Sequence, residues 1–311
     1  MFTLFPYTTL FRSFSTDIRG YDDYRVVVCQ PLGLVYGFVC DGFYTVDDFQ
    51  TTTDENGKTQ FVFDKSGNYI LKEGVVDGSF ITAGSKAGLR PGAMKVRDLD
   101  GDKKISESDR TIIGKTQPKF QGGFGLNATY KWFDLTANFN FVVGNDVYNL
   151  DKMVTSQSYR NTYASLRQEM TPVTLGGKAW TYMDQATGEI VTDYETLKNM
   201  NANASIWSAA TLSDNNPVPS SWAVEDGSFL RLQNLTVGFT FPKEWTKKFA
   251  CNSLRMYCTL TNLFCLTNYS GYDPEVNSSI RGSKTSGLTP GADFSSYPKS
   301  FSWTAGVNIS F

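Results

Sequence analysis

The chain has 311 residues with 29 basic and 31 acidic side chains, and a formal charge of −2 leaves no basic field to attract nucleic acid. The absence of histidine excludes histidine-based triads, histidine general bases and most zinc sites. No stretch approaches about eighteen uninterrupted apolar residues, so no transmembrane helix is expected; a membrane β-barrel, whose lipid-facing residues alternate with polar ones, needs none.

In chain order, MFTLFPYTTLFRS lacks a charged start followed by a long apolar run and is a poor export signal. Its LFPYTTLFRS part resembles translated sequencing-adaptor read-through. Residues 1–13 are therefore set aside as non-native, and the remainder reads as a piece of a longer exported protein. Residues 14–120, rich in Gly, Asp, Tyr and Thr with short β-like runs, are expected to form an extracellular loop region. Within it, DLDGDKKISESD fits a calcium-loop template. Asp98, Asp100 and Asp102 take positions 1, 3 and 5, the Lys104 carbonyl position 7, Ser106 position 9 and Asp109 position 12. Lys103 replaces the turn glycine and Asp109 is shorter than the usual glutamate, so an acidic solvated turn competes with Ca²⁺ binding. No other cofactor is expected. Of the five cysteines, only Cys29 with Cys40 is a pair to test for a bridge.

Residues 121–311 carry the alternation of strands. In GGFGLNATYKW, Phe124, Leu126, Ala128, Tyr130 and Trp132 share one parity, with Gly, Asn, Thr and Lys on the other. FDLTANFNFVV repeats the pattern over 133–143 after a very short turn at 131–133. A long insertion at 145–226 follows, with a helix expected near 151–170. Its Trp180, Trp207 and Trp222 are candidates for stacking on a substrate, as is Tyr272 in the later loop 267–299. The alternative is that such rings pack an inner core of the insertion or a partner's surface. Strands are expected at 228–241 and 253–265, and FSWTAGVNISF closes the chain with Phe301, Trp303, Ala305, Val307, Ile309 and Phe311 on one face.

Length separates a membrane wall from a soluble sandwich. About eleven residues at ~3.4 Å each, tilted by roughly 40–45°, rise ~27 Å, close to the ~25 Å apolar band of an outer-membrane barrel. Strands of soluble domains usually have about five or six residues. The polar parity is small and neutral, as suits a hydrated lumen, and aromatics gather at strand ends. With short turns inside and long loops outside, residue 311 falls on the periplasmic side. The fold class is thus all-β, the C-terminal portion of a large antiparallel transmembrane β-barrel with long extracellular insertions at 145–226 and 267–299. No GxSxG, P-loop or strand–GxGxxG–helix motif points to an enzyme.

Specific residues add a family. PLGLVYGFVCDGFYTVDDF (31–49), PGAMKVRDLDGDKKISESDRTIIGKTQPKFQGGFGLNATYKWFDLTANF (91–139), GNDVYN (144–149), SFLRLQNLTVGFTFPK (228–243), LRMYCTLTNLF (254–264) and YSGYDPEV (269–276) resemble the SusC/RagA kind of TonB-dependent outer-membrane transporter of Bacteroidetes. The resemblance implies a 22-stranded barrel in the cell outer membrane, filled by an N-terminal plug. It further implies import of oligosaccharides or peptides, energy from TonB–ExbB–ExbD through a segment upstream of this one, and a SusD-like lipoprotein on the extracellular face. Such barrels use a C-terminal aromatic, here Phe311, as an assembly signal. Two other readings stay open: a non-energised porin or adhesin-like barrel, and a secreted carbohydrate-binding β-sandwich.

Overall fold

The computed structural model describes residues 12–14, 23–27, 29–83, 88–155, 179–184, 186–208, 218–276, 289–294 and 296–311. In chain order the strands are β1 (Arg12–Phe14), β2 (Tyr24–Val26), β3 (Leu34–Phe38), β4 (Cys40–Phe43), β5 (Thr51–Thr53), β6 (Thr59–Phe61), β7 (Met94–Val96), β8 (Arg110–Lys115), β9 (Phe120–Tyr130), β10 (Phe133–Val143), β11 (Asp146–Asn149), β12 (Val224–Asp226), β13 (Phe229–Thr240), β14 (Ser253–Thr267), β15 (Ala292–Asp293) and β16 (Ser302–Ser310). Short helices occur at α1 (Leu150–Thr155), α2 (Tyr194–Met200) and α3 (Lys243–Thr246).

The alternating segments form one antiparallel sheet in the order β16-β14-β13-β10-β9. The two-residue turn between β9 and β10 puts Lys131 in the left-handed region (φ 55°), and Tyr130 pairs with Phe133 across it. Register then aligns the apolar parities of all five strands. Leu126 faces Ala137, which faces Leu235, then Leu260, and Trp303 completes the row. A register shift near Gln233 lets Leu230 and Leu232, of opposite parity to Leu235, pair with Phe141 and Phe139 and stay on the same face. Counting along the sequence alone would have put those two leucines on the wrong side.

This sheet is a single layer. Phe120, Leu126, Trp303 and Val307 are 54–65% exposed. A β-sandwich would bury that face against a second sheet. Aromatic pairs gather at both ends of the strands. At one end Phe133 lies tilted 4.8 Å from Phe239, which meets Phe241 at 4.9 Å; at the other Phe120 meets Phe141 edge-on at 5.9 Å, and between them Phe124 stacks 4.8 Å from Phe139.

The long connections leave the sheet at the end where β9 begins, and their described residues fold together into a head. Three apolar cores hold it. The first joins Tyr24, Val35, Tyr148, Met153, Ala223 and Ala292; the second joins Phe38, Met94, Ile105, Ile206 and Trp207; the third joins Tyr44, Phe49, Phe61, Trp180 and Leu197. Each core mixes residues from 14–120 with residues from the insertion 145–226. The expected helix near 151–170 is described only as α1 (Leu150–Thr155), and its remainder lies outside the described residues. The cysteines are free, with Cys29 exposed and Cys40 half-buried, so the structure holds no Cys29–Cys40 bridge.

Candidate functional site

The polar face of the sheet is built from short side chains that bond across strands. Thr136 donates to Asn127 Oδ1 (2.9 Å), the hydroxyls of Thr236 and Thr259 meet at 2.9 Å, and Thr261 donates to Asn234 Oδ1 (3.3 Å). One ion pair spans three strands: Arg255 on β14 donates from Nε (3.1 Å) and Nη2 (2.5 Å) to the two oxygens of Asp134 on β10. It passes over Gly238 on the intervening β13, where a Cβ would collide with both side chains. The surface is polar and mildly charged, and Tyr257, lying over Gly306 and beside Arg255, adds a large ring to it.

At the head end of this face, Arg231 and Asp273 form a buried pair, with side chains 4% and 5% exposed and Nη2 2.6 Å from Oδ1. Glu275 lies 3.7 Å from Arg231 Nε and pairs with Lys299. Nearby, Glu225 accepts from the amide and hydroxyl of Ser270 (both 2.8 Å) and pairs with Lys152 at 2.9 Å. Burial pushes the Glu225 carboxyl up, but Lys152 and the Ser270 donors outweigh it and hold the pKa below its ordinary value.

In the acidic loop, the carboxylates of Asp98, Asp100 and Asp102 converge with ligand atoms within 4.8 Å of one another. Lys103, where the template has glycine, adopts the left-handed backbone (φ 65°) that this turn requires. Asp98 accepts from the amides of Gly101 (2.6 Å) and Lys103 (2.8 Å), which hold its carboxyl below the ordinary range. Asp100 accepts from Ser108 (2.8 Å) and Asp102 from the Lys104 amide (2.7 Å). Ser106 caps a short 3-10 turn and its amide donates to Asp109 Oδ2 (2.8 Å). Asp109 is fully buried, and its Oδ1 accepts from the Leu99 amide (2.8 Å). Three carboxylates thus fit a hard cation such as Ca²⁺, whereas the residue at position 12 spends both oxygens on backbone donors.

The aromatic candidates are not brought together. Trp180 (5% exposed) packs on Phe43 with centroids 5.6 Å apart and against Gly92, whose φ of +81° and missing Cβ admit the indole. Trp207 (2% exposed) meets Trp222 edge-on at 5.2 Å, and Lys152 Nζ lies 4.2 Å above the Trp222 ring. All three tryptophans therefore work inside the head. Tyr272 is 76% exposed on the segment carrying Asp273. Phe311 follows β16 and is 82% exposed. Sequence reasoning passed over Arg231 and Asp273, although Arg231 is the one charged residue within SFLRLQNLTVGFTF.

No family model matches the chain. It is 28% identical over 258 residues to TonB-dependent receptor P3 of Formosa agariphila, covering 78% of this chain and 23% of that protein. Identity to TonB-dependent receptor P39 of the same organism is 28% over 295 residues, covering 93% and 26%. TonB-dependent receptor SusC of Bacteroides thetaiotaomicron is 24% identical over 221 residues, covering 69% and 17%. Among solved structures, the RagAB peptide importer in its closed-closed state superposes with a TM-score of 0.52 at 19% identity, over 93% of this chain and 24% of that one. The chain spans about a quarter of the length of the curated relatives P3 and P39. The five long strands are a section of antiparallel barrel wall of the kind found in these receptors.

Proposed function

We propose that this chain, a relative of the TonB-dependent receptors over most of its length, supplies part of the wall and outer vestibule of an outer-membrane importer. The importer takes up oligosaccharides or peptides, draws on TonB–ExbB–ExbD and works with a SusD-like lipoprotein at its extracellular face. The observation that carries most weight is the single-layer sheet, whose apolar face leaves Phe120, Leu126, Leu135, Val237, Trp303 and Val307 uncovered and whose other face is polar and cross-bonded. Such a face is stable when lipid covers it and water fills the opposite side. The short connections at 131–132 and 241–252 then lie at the periplasm, and the head faces outward.

Two adjacent substitutions test the wall. Leu126→Arg places a charge on the apolar face near mid-strand and is expected to cost about 2–4 kcal/mol of membrane folding stability, whereas Asn127→Arg on the polar face costs little. Equal costs in vesicle-refolding titrations would remove the lipid-facing assignment. Import itself is tested by uptake of labelled oligosaccharides and peptides with TonB energised or not. Uptake indifferent to TonB would favour a porin-type barrel.

The convergence of Asp98, Asp100 and Asp102 supports Ca²⁺ binding by the outer loop 98–109. An extracellular site of this kind is expected in the range of about 10⁻⁴–10⁻³ M. Calorimetric titration of the whole protein should show heat that Asp98→Ala removes, and identical heats from both would end the calcium reading.

A further inference from the structure

We propose that Arg231 is a positioning residue that straps the segment 268–276 across the polar side of the wall, fixing it as part of the mouth of the passage. The inference rests on reading that side as the lumen. In register, Arg231 lies between Asn140 of β10 and Cys265 of β14, on the face that carries Asp134, Thr236 and Arg255. Its guanidinium therefore points away from the apolar side, and it meets Asp273 with both groups almost fully buried.

Asp273 gathers both limbs of the loop between β14 and β16. Oδ1 also accepts from the Glu275 amide (2.9 Å), while Oδ2 accepts from the amide of Lys299 (3.4 Å), just before β16. Lys299 then closes on Glu275. A few residues earlier, the same segment is tied to the head. Ser270 donates twice to Glu225, and Tyr269 donates to Asp293 (2.6 Å) from a buried position. The segment is thus held on one side by the head and on the other by the wall, and exposed Tyr272 stands between the anchors. A charge buried without its partner strongly favours local opening, so the pair acts as a fastening that holds only while both members are charged and present.

Hydrogen exchange on the intact protein in membranes tests this. Wild-type amides from Tyr269 to Glu275 should exchange on the order of 100-fold slower than in a free peptide of the same sequence. Asp273→Asn should raise their exchange at least about tenfold while β10 and β13 stay protected, and Arg231→Lys, which loses the planar fork, should give a smaller rise. Free-peptide exchange in the wild type, or unchanged exchange in Asp273→Asn, would overturn the strap; the wild-type measurement decides even if a variant fails to assemble. Heat-modifiable migration in gels reports the barrel separately. Kept migration with an unprotected segment sinks the strap alone, and lost migration with a protected segment sinks the barrel reading alone.

Discussion

The wall and the head treat the same residue types in opposite ways. In the wall, Phe120 and Trp303 leave more than half their surface uncovered, whereas in the head Tyr44, Phe49 and Tyr148 are completely enclosed. Aromatic content therefore does not separate the two regions. What differs is what takes up the apolar surface: the protein's own interior for the head and, on the function proposed above, lipid for the wall. The wall consequently draws its order from main-chain pairing and a two-residue period, and the head from side-chain packing over long sequence separations.

The sharpest way to break that contrast is to damage one region and look for an effect in the other. Trp207→Ala should cost about 3–5 kcal/mol of head stability through the cavity it leaves. The expected result is protease cleavage in the head with heat-modifiable migration of the wall retained, and joint collapse would show that the two are one folding unit. Next in size, Gly238→Val introduces atoms where Arg255 and Asp134 meet. Overpacking of this type costs about 1–3 kcal/mol, read as a lowered denaturant midpoint for the wall without new cleavage in the head.

The smallest effect is one of pH and should be confined to the head. Lys58, with the amide and hydroxyl of Thr196 in the first turn of α2, holds the carboxyl of the N-cap residue Asp193 at about 2, below its ordinary 3.8. Asp47 is lowered in the same direction, first by Tyr194 and then by Lys198. A depressed carboxylate binds protons more readily when unfolded, so its contribution is present at neutral pH. It is lost as the pH falls from about 4 toward about 2. Head unfolding followed by intrinsic fluorescence should steepen over that window and be blunted in Asp193→Asn; an unchanged profile would show that these surface pairs contribute nothing measurable.

The wall was legible because its rule is local. Parity in GGFGLNATYKW and FDLTANFNFVV identified the strands: β10 coincides with the second segment, and β9 lies two residues ahead of the first. The irregularity at Gln233 could not be seen this way, since alternation breaks at LRLQNL without saying which side gives way. The head was opaque for the opposite reason. That Trp180 seats on Phe43 and Gly92 depends on pieces of chain far apart, and nothing near Trp180 distinguishes a ring packed in a core from one offered to a sugar. The acidic loop falls between these cases. Spacing announced three converging carboxylates, but the inward turn of Asp109 depends on the Leu99 amide reaching it from ten residues away.

The register that aligns Val142 with Phe229 also bears on how such a chain can change over time. The two ends of the long insertion are already neighbours because the strands on either side pair, so closing that loop adds little entropy cost whatever its length. Doubling it costs only about 0.6 kcal/mol more. Sequence can be gained, lost or exchanged outside the membrane while the wall stays constant, limited mainly by whether new segments find apolar partners in the head. A scaffold of this design separates the part held fixed by strand register from the part free to vary in length and sequence.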